Sequence, residues 1–138
     1  MIRVVLDTSV VVSAVISPAG PNAQVVALIV AGQIRPYVTQ AVLEEYDRVF
    51  QYERLQHLDK HRVADVLRWL KAAGVIVKSR GRLRISGHEE DNRIYECAVV
   101  AKANYIVTEN TQHFPSPYKY TRLITARQLL QLLETRQA

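Results

Sequence analysis

The sequence predicts an α/β fold, a three-layer α/β/α sandwich around a central, mostly parallel sheet. Two observations carry that prediction. Short β-branched apolar runs, such as IRVVL near the start, alternate with segments of helical periodicity. Capping and turn residues separate the two kinds of segment, and strands joined through helices pair in parallel with helices over their faces.

In chain order, Ile2 to Leu6 reads as a buried strand and leads directly into a helical segment that stops before the turn cluster SPAGPN. Helical patterning resumes from Ala23 to Ala31 and ends at Gly32. Ile34 to Val38 is a second strand, followed by a helix capped by Thr39. A long helix fits His61 to Ala73, closed by Gly74, with VIV as a third strand. A further helix starts near Asp91. NYIVTEN then supplies a strand, and TRLIT a last strand before a C-terminal helix.

At 138 residues the chain is expected to form one domain, 1–138, large enough to bury a core without disulfides. The single cysteine, Cys97, cannot form an internal bridge, and a reducing cytoplasm suits it best. The N-terminal apolar run superficially resembles a signal peptide, but Asp7 falls in the middle of what would be its apolar region. VVALIVAG from Val25 is too short to span a bilayer. The formal charge of +5 favours a polyanionic partner such as nucleic acid. There is no Walker loop, no Gly-rich dinucleotide fingerprint, no CxxC and no GxSxG elbow. The residue two positions beyond Asp7 is Ser9 and not a second acid, which argues against a haloacid-dehalogenase-type phosphatase.

Asp7 interrupts an apolar run at the carboxyl end of a predicted strand, the edge where open α/β sheets place their sites. Capping the following helix would explain it, at about 1 kcal/mol. Other acids, however, are placed to meet it. In VLEEYDRVF, helical phase puts Val42, Leu43, Tyr46, Val49 and Phe50 on the apolar face, Glu45 at its border and Glu44 opposite. In HEEDNRIYECA, Ile94, Ala98 and Ala101 define the buried stripe, with Asp91 on the same side and Glu96 pointing away. Glu89 and Glu90 are accounted for as complements to the helix dipole.

Three carboxylates within ~5 Å of one another repel by about 3 kcal/mol per pair at an effective dielectric near 20. Protons or a divalent cation must neutralise such a cluster, and all-oxygen ligands favour Mg²⁺ or Mn²⁺. A hard cation held by acids in a basic protein suggests phosphodiester hydrolysis.

With these residues in place the sequence resembles the PIN-domain ribonucleases, particularly the VapC-like toxins of toxin–antitoxin pairs. VVLDTSVVVSAVIS is similar to the family's opening strand, first acid and helix, with Asp7 the acid and Ser9 its small polar companion. VTQAVLEEY resembles the segment of the second acid, in a register matching Glu45, and DNRIYECA that of the third, matching Asp91. ANYIVTENTQHF resembles the following strand and its Thr-x-Asp/Asn turn, here Thr108 and Asn110. Many relatives carry Asp where this chain has Asn110, which could ligate through its amide oxygen but brings no charge; Glu109 could supply one.

The resemblance implies a Mg²⁺- or Mn²⁺-dependent endoribonuclease, with Asp7, Glu45 and Asp91 as catalytic acids and metal ligands together with Asn110. It also implies a cognate antitoxin and a homodimer or higher homo-oligomer. The alternative is a degenerate, non-catalytic PIN-like module that binds RNA or a protein partner; the three intact acids favour the enzyme.

Arg80, Arg82 and Arg84 alternate in SRGRLRIS, so an extended chain lines them on one face, either against RNA phosphates or as a solvated edge. YKYTR, Tyr118 to Arg122, mixes rings with cations that could stack and pair with RNA, but ordinary packing beneath the last strand is the favoured reading. His57 and His61 read as a solvated helix face.

Overall fold

A computed structural model describes residues 1–79, 89–111 and 120–137. Its elements are β1 (Ile2–Leu6), α1 (Thr8–Ile16), α2 (Pro21–Val30), β2 (Ile34–Val38), α3 (Gln40–Val49), a 3₁₀ turn (Glu53–Leu55), α4 (Lys60–Ala73), β3 (Val75–Ile76), α5 (Glu89–Ala101), β4 (Tyr105–Val107), β5 (Arg122–Ile124) and α6 (Ala126–Gln137). The five strands form one sheet in the order β3-β2-β1-β4-β5, and every pairing is parallel. Helices cover both faces, so the predicted three-layer α/β/α architecture is the one observed.

β1 is the central strand, and its Val4 and Val5 are fully buried. That is why its sequence is almost continuously apolar where a half-exposed strand would alternate. α1 is rich in β-branched valines, poor intrinsic helix formers, and forms because Val10, Val11, Ala14 and Val15 are buried. α2 starts at Pro21, two residues earlier than the periodicity placed it, because proline at the first helical position lacks only an N–H that would be unpaired there. It ends on Gly32 with φ +78°: the Gln33 N–H reaches the Leu28 carbonyl and the Gly32 N–H the Ile29 carbonyl, a Schellman closure. Thr39 caps α3 by accepting from the Val42 N–H at 3.1 Å, and Asp59 caps α4 by accepting from His61 N–H at 2.9 Å.

α5 departs from the single-stripe reading. It packs against β1, β2 and β4 on one side and against α3 on another. Asn92, Tyr95, Glu96 and Cys97 are therefore buried together with Ile94 and Ala98. Glu96, expected to point away, is 5% exposed and accepts from Arg93 at 3.0 Å and from the Ser79 hydroxyl at 3.2 Å. Among the described residues no single helix is long and apolar enough to cross a membrane.

Candidate active site

Parallel order makes the carboxyl ends of β1 and β4 neighbours at the point where the chain reverses its direction of winding, so the crevice there is open. The ladder continues one residue past each strand. The Asp7 N–H donates to the Val107 carbonyl at 2.9 Å, and the Thr108 N–H to the Ile124 carbonyl at 3.0 Å. Asp7 and Thr108 are thereby delivered side by side.

Asp7 is both a helix cap and something more. Its Oδ1 accepts from the Thr8 N–H at 2.9 Å, the capping bond. Its Oδ2 accepts from the Ser9 hydroxyl and from the Thr108 hydroxyl, each at 2.8 Å. Each hydroxyl then accepts a backbone N–H of the turn after β4: Glu109 to Ser9 at 3.4 Å and Asn110 to Thr108 at 3.2 Å. Three neutral donors fix the carboxylate without neutralising it.

Glu45 and Glu44 part as helical phase requires: Glu44 is exposed and Glu45 is 9% exposed. The next residue anchors the helix to the sheet, because the buried Tyr46 hydroxyl donates to the Leu6 carbonyl, one residue before Asp7. Burial raises the Glu45 pKa. The Arg48 guanidinium, 2.6 Å away, opposes that rise, and the charges of Glu90 and Asp7 add to it.

An open cavity of about 490 Å³ brings Asp7, Ser9, Glu45, Glu90 and Glu109 to one surface. From the first turn of α5 it is Glu90 that lines this cavity; Asp91, one residue on, is half-buried. Glu90 is the acid that sequence reasoning set aside, since an acid in a first helical turn carries the same signature whether it complements the dipole or faces a site. Glu109 accepts from the Ser13 hydroxyl and from the Asn22 amide at 3.0 Å, bonds spanning 96 and 87 residues. Asn110 is exposed on the turn beside it.

Among the described residues no three His, Cys, Asp or Glu side chains stand together closely enough to hold an ion between them. The donor set nonetheless fits a hard divalent cation in kind: four carboxylates line one open cavity, and after burial the charges of Glu90 and Asp7 add to the rise of the Glu45 pKa. Glu45 is tied instead to Arg48, whose side chain is 57% exposed, and Glu109 to Ser13 and Asn22. Cys97 is no candidate nucleophile, because burial pushes its thiol up to about 12.

Arg80, Arg82, Arg84 and Tyr118 lie outside the described residues. Tyr120 is 66% exposed and so is not packed beneath the last strand; the neighbouring Thr121 is buried and donates to the Ala103 carbonyl at 2.7 Å. His57 and His61 are exposed.

A family model for the PIN domain matches residues 3–112. Over 104 residues the chain is 27% identical to an uncharacterized protein of Methanocaldococcus jannaschii, a match covering 74% of this chain and 67% of that one. Among solved structures, a chain of VapBC2 from Rickettsia felis, crystallised bound to a DNA fragment from the promoter, has a TM-score of 0.60 at 15% identity. That match covers 90% of this chain and 98% of the other, and shows a shared fold.

Proposed function

The chain belongs to the PIN-domain family, and from that premise we propose that it is a metal-dependent endoribonuclease, the toxin of a toxin–antitoxin pair. The observation that carries the reading is the Asp7 carboxylate, held by three neutral donors beside a cavity that Glu45, Glu90 and Glu109 also line. A helix cap needs only one of the two oxygens; here the second takes two further hydroxyl donors at the edge of an acid-lined cavity.

Asp7 and Glu45 would hold Mg²⁺ or Mn²⁺ with one acid from the first turn of α5. Family register nominates Asp91, and the cavity lining nominates Glu90. When bound, such an ion lowers the pKa of water and stabilises the leaving oxygen of a phosphodiester. Ser9 and Thr108 keep the Asp7 oxygens aimed, and Tyr46 keeps the Glu45 helix at the end of β1. Asn110, on the turn after Glu109, would offer an amide oxygen without charge. Likeness to a chain of a VapBC complex supports an antitoxin partner, the family resemblance supports self-association, and the single cysteine supports a cytoplasmic setting.

The deciding experiment incubates mixed RNAs with the protein in Mg²⁺ or Mn²⁺, beside Asp7→Asn. Metal-dependent cleavage that Asp7→Asn abolishes supports the reading. RNA binding without cleavage under any divalent ion would favour the non-catalytic module.

A further inference from the structure

We infer that Tyr52 and Arg54 form a stacking and phosphate-binding platform for single-stranded RNA at the rim of the acidic cavity. The inference rests on the ribonuclease reading of that cavity.

The cavity presents a polyanion with a problem. Four acids line it, Asp7, Glu45, Glu90 and Glu109, and Arg54 is the one cation among its described lining residues. Even with a divalent ion bound, the phosphates flanking the reacting one would face uncompensated carboxylates. Arg54 is the described lining residue that can meet a neighbouring phosphate with opposite charge.

Arg54 does not stand alone. Its guanidinium carbon lies 5.3 Å from the centroid of the Tyr52 ring, which is 39% exposed and lines the same cavity. The exposed part of the ring leaves π surface open to a ligand in the cavity. For a nucleic acid the pair offers what single strands need, a flat π surface for a base and a cation for the backbone.

The platform is also rigid. Tyr52 caps the 3₁₀ turn, its N–H bonded to the Val49 carbonyl at 3.2 Å and its carbonyl accepting from the Leu55 N–H at 3.0 Å. The Gln56 amide bridges the Phe50 and Tyr52 carbonyls at 2.9 and 3.2 Å, and Leu55 is buried beneath. Little backbone freedom remains to be lost when a base docks.

The geometry also gives the platform a side. A second cavity of about 390 Å³ continues beyond Glu109, and its described lining residues include a cation, Arg127, but no ring. A base therefore stacks on the α3 side of the acids, with the strand passing over them towards α6.

The test is equilibrium binding of a short single-stranded RNA containing 2-aminopurine, in Mg²⁺ and in an Asp7→Asn background that prevents turnover. Binding should quench the probe by stacking. Tyr52→Ala should weaken affinity about five- to a hundred-fold and abolish the quench, as expected for the loss of one base–aromatic stack. Tyr52→Phe should retain both, which separates stacking from a folding defect. Arg54→Ala should lower the slope of log affinity against log salt by about 0.7, one phosphate contact to a single strand. In the otherwise wild-type enzyme, Tyr52→Ala should raise KM and leave kcat near its original value. Unchanged affinity and quench in Tyr52→Ala would overturn the platform while leaving the nuclease reading intact. Tight, Tyr52-dependent binding by a protein that cuts no RNA would overturn the nuclease reading and leave the platform. Failure of the RNA to bind at all would overturn the platform.

Discussion

Thr108→Val isolates the contribution of one hydroxyl to the placement of Asp7. Thr108 is fully buried, and its Oγ1 lies 2.8 Å from Asp7 Oδ2. Valine has nearly the same shape, so the change opens no cavity and removes only the hydroxyl. A hydrogen bond to a charged acceptor contributes about 1.5–3 kcal/mol. The hydroxyl also accepts from the Asn110 N–H at 3.2 Å, so valine removes that bond as well and places the loss towards the upper end of the range. For a chain of 138 residues, 1 kcal/mol moves the melting temperature by about 4 °C, so the expected drop is about 6–12 °C.

Ser9→Ala removes the second donor to the same oxygen, but Ser9 is half-buried and water can replace it, for a loss nearer 1 kcal/mol. Because each donor compensates for the other, the double variant should cost more than the sum of the singles. Calorimetric melting and urea titration at neutral pH measure all three. Cleavage should fall by up to about 100-fold in Thr108→Val, since a carboxylate displaced by 1 Å loses its alignment. If Thr108→Val melts within 1 °C of the wild type and cuts at the same rate, the hydroxyl cage does not hold Asp7.

Glu45→Gln should abolish cleavage while Glu44→Gln changes little, checked by initial rates over a range of Mg²⁺ concentrations. Glu45→Gln should also be the more stable protein at neutral pH. The Glu45 pKa is raised in the fold, so its ionised form is disfavoured there, and stability falls as pH rises through that value. The two proteins should converge below the unfolded pKa, which melting at a series of pH values will show. Glu90→Gln and Asp91→Asn, compared by metal titration of activity, will decide which acid of α5 serves the site; the one that serves it should need the higher metal concentration when neutralised. EDTA should stop cleavage, and full activity in chelator would point to a metal-free mechanism. Replacing Arg80, Arg82 and Arg84 together should flatten the salt dependence of RNA binding, and an unchanged slope would make them a solvated edge.

The parts of the site legible in the sequence are those that local rules govern. Asp7 was visible because a charge breaks a buried strand at the sheet edge, and Glu45 because helical phase separates it from Glu44 by 100°. Glu90 was not, because α5 begins at Glu89 and its first turn carries acids at Glu89, Glu90 and Asp91, among which dipole and phase arguments choose weakly. Glu96 escaped for a different reason: a helix covered on several sides has no single buried stripe for periodicity to find. The bonds from Ser13 and Asn22 to Glu109 join residues far apart in sequence, and no local rule reaches that far.

The two inner acids are held in opposite ways, and the difference suits a site that must accept a cation. Asp7 is gripped by an N–H and two hydroxyls, which restrict its motion and bring no opposing charge. An arginine in their place would have satisfied the same oxygens and cancelled the charge a metal needs. Glu45 is held by a cation, Arg48, but one that is 57% exposed and reaches it from the next turn of the same helix. Its guanidinium end lies in water, so it can swing away from the buried carboxylate, and a divalent ion brings two charges to the same oxygens where Arg48 brings one. The repulsion from Asp7 and Glu90 that raises the Glu45 pKa is relieved by the same exchange. Asp7 is therefore the fixed point of the site and Glu45 the ligand that yields. Arg48→Ala should accordingly lower the Mg²⁺ concentration that gives half-maximal cleavage, and Thr108→Val should raise it, both read from initial rates in a Mg²⁺ titration.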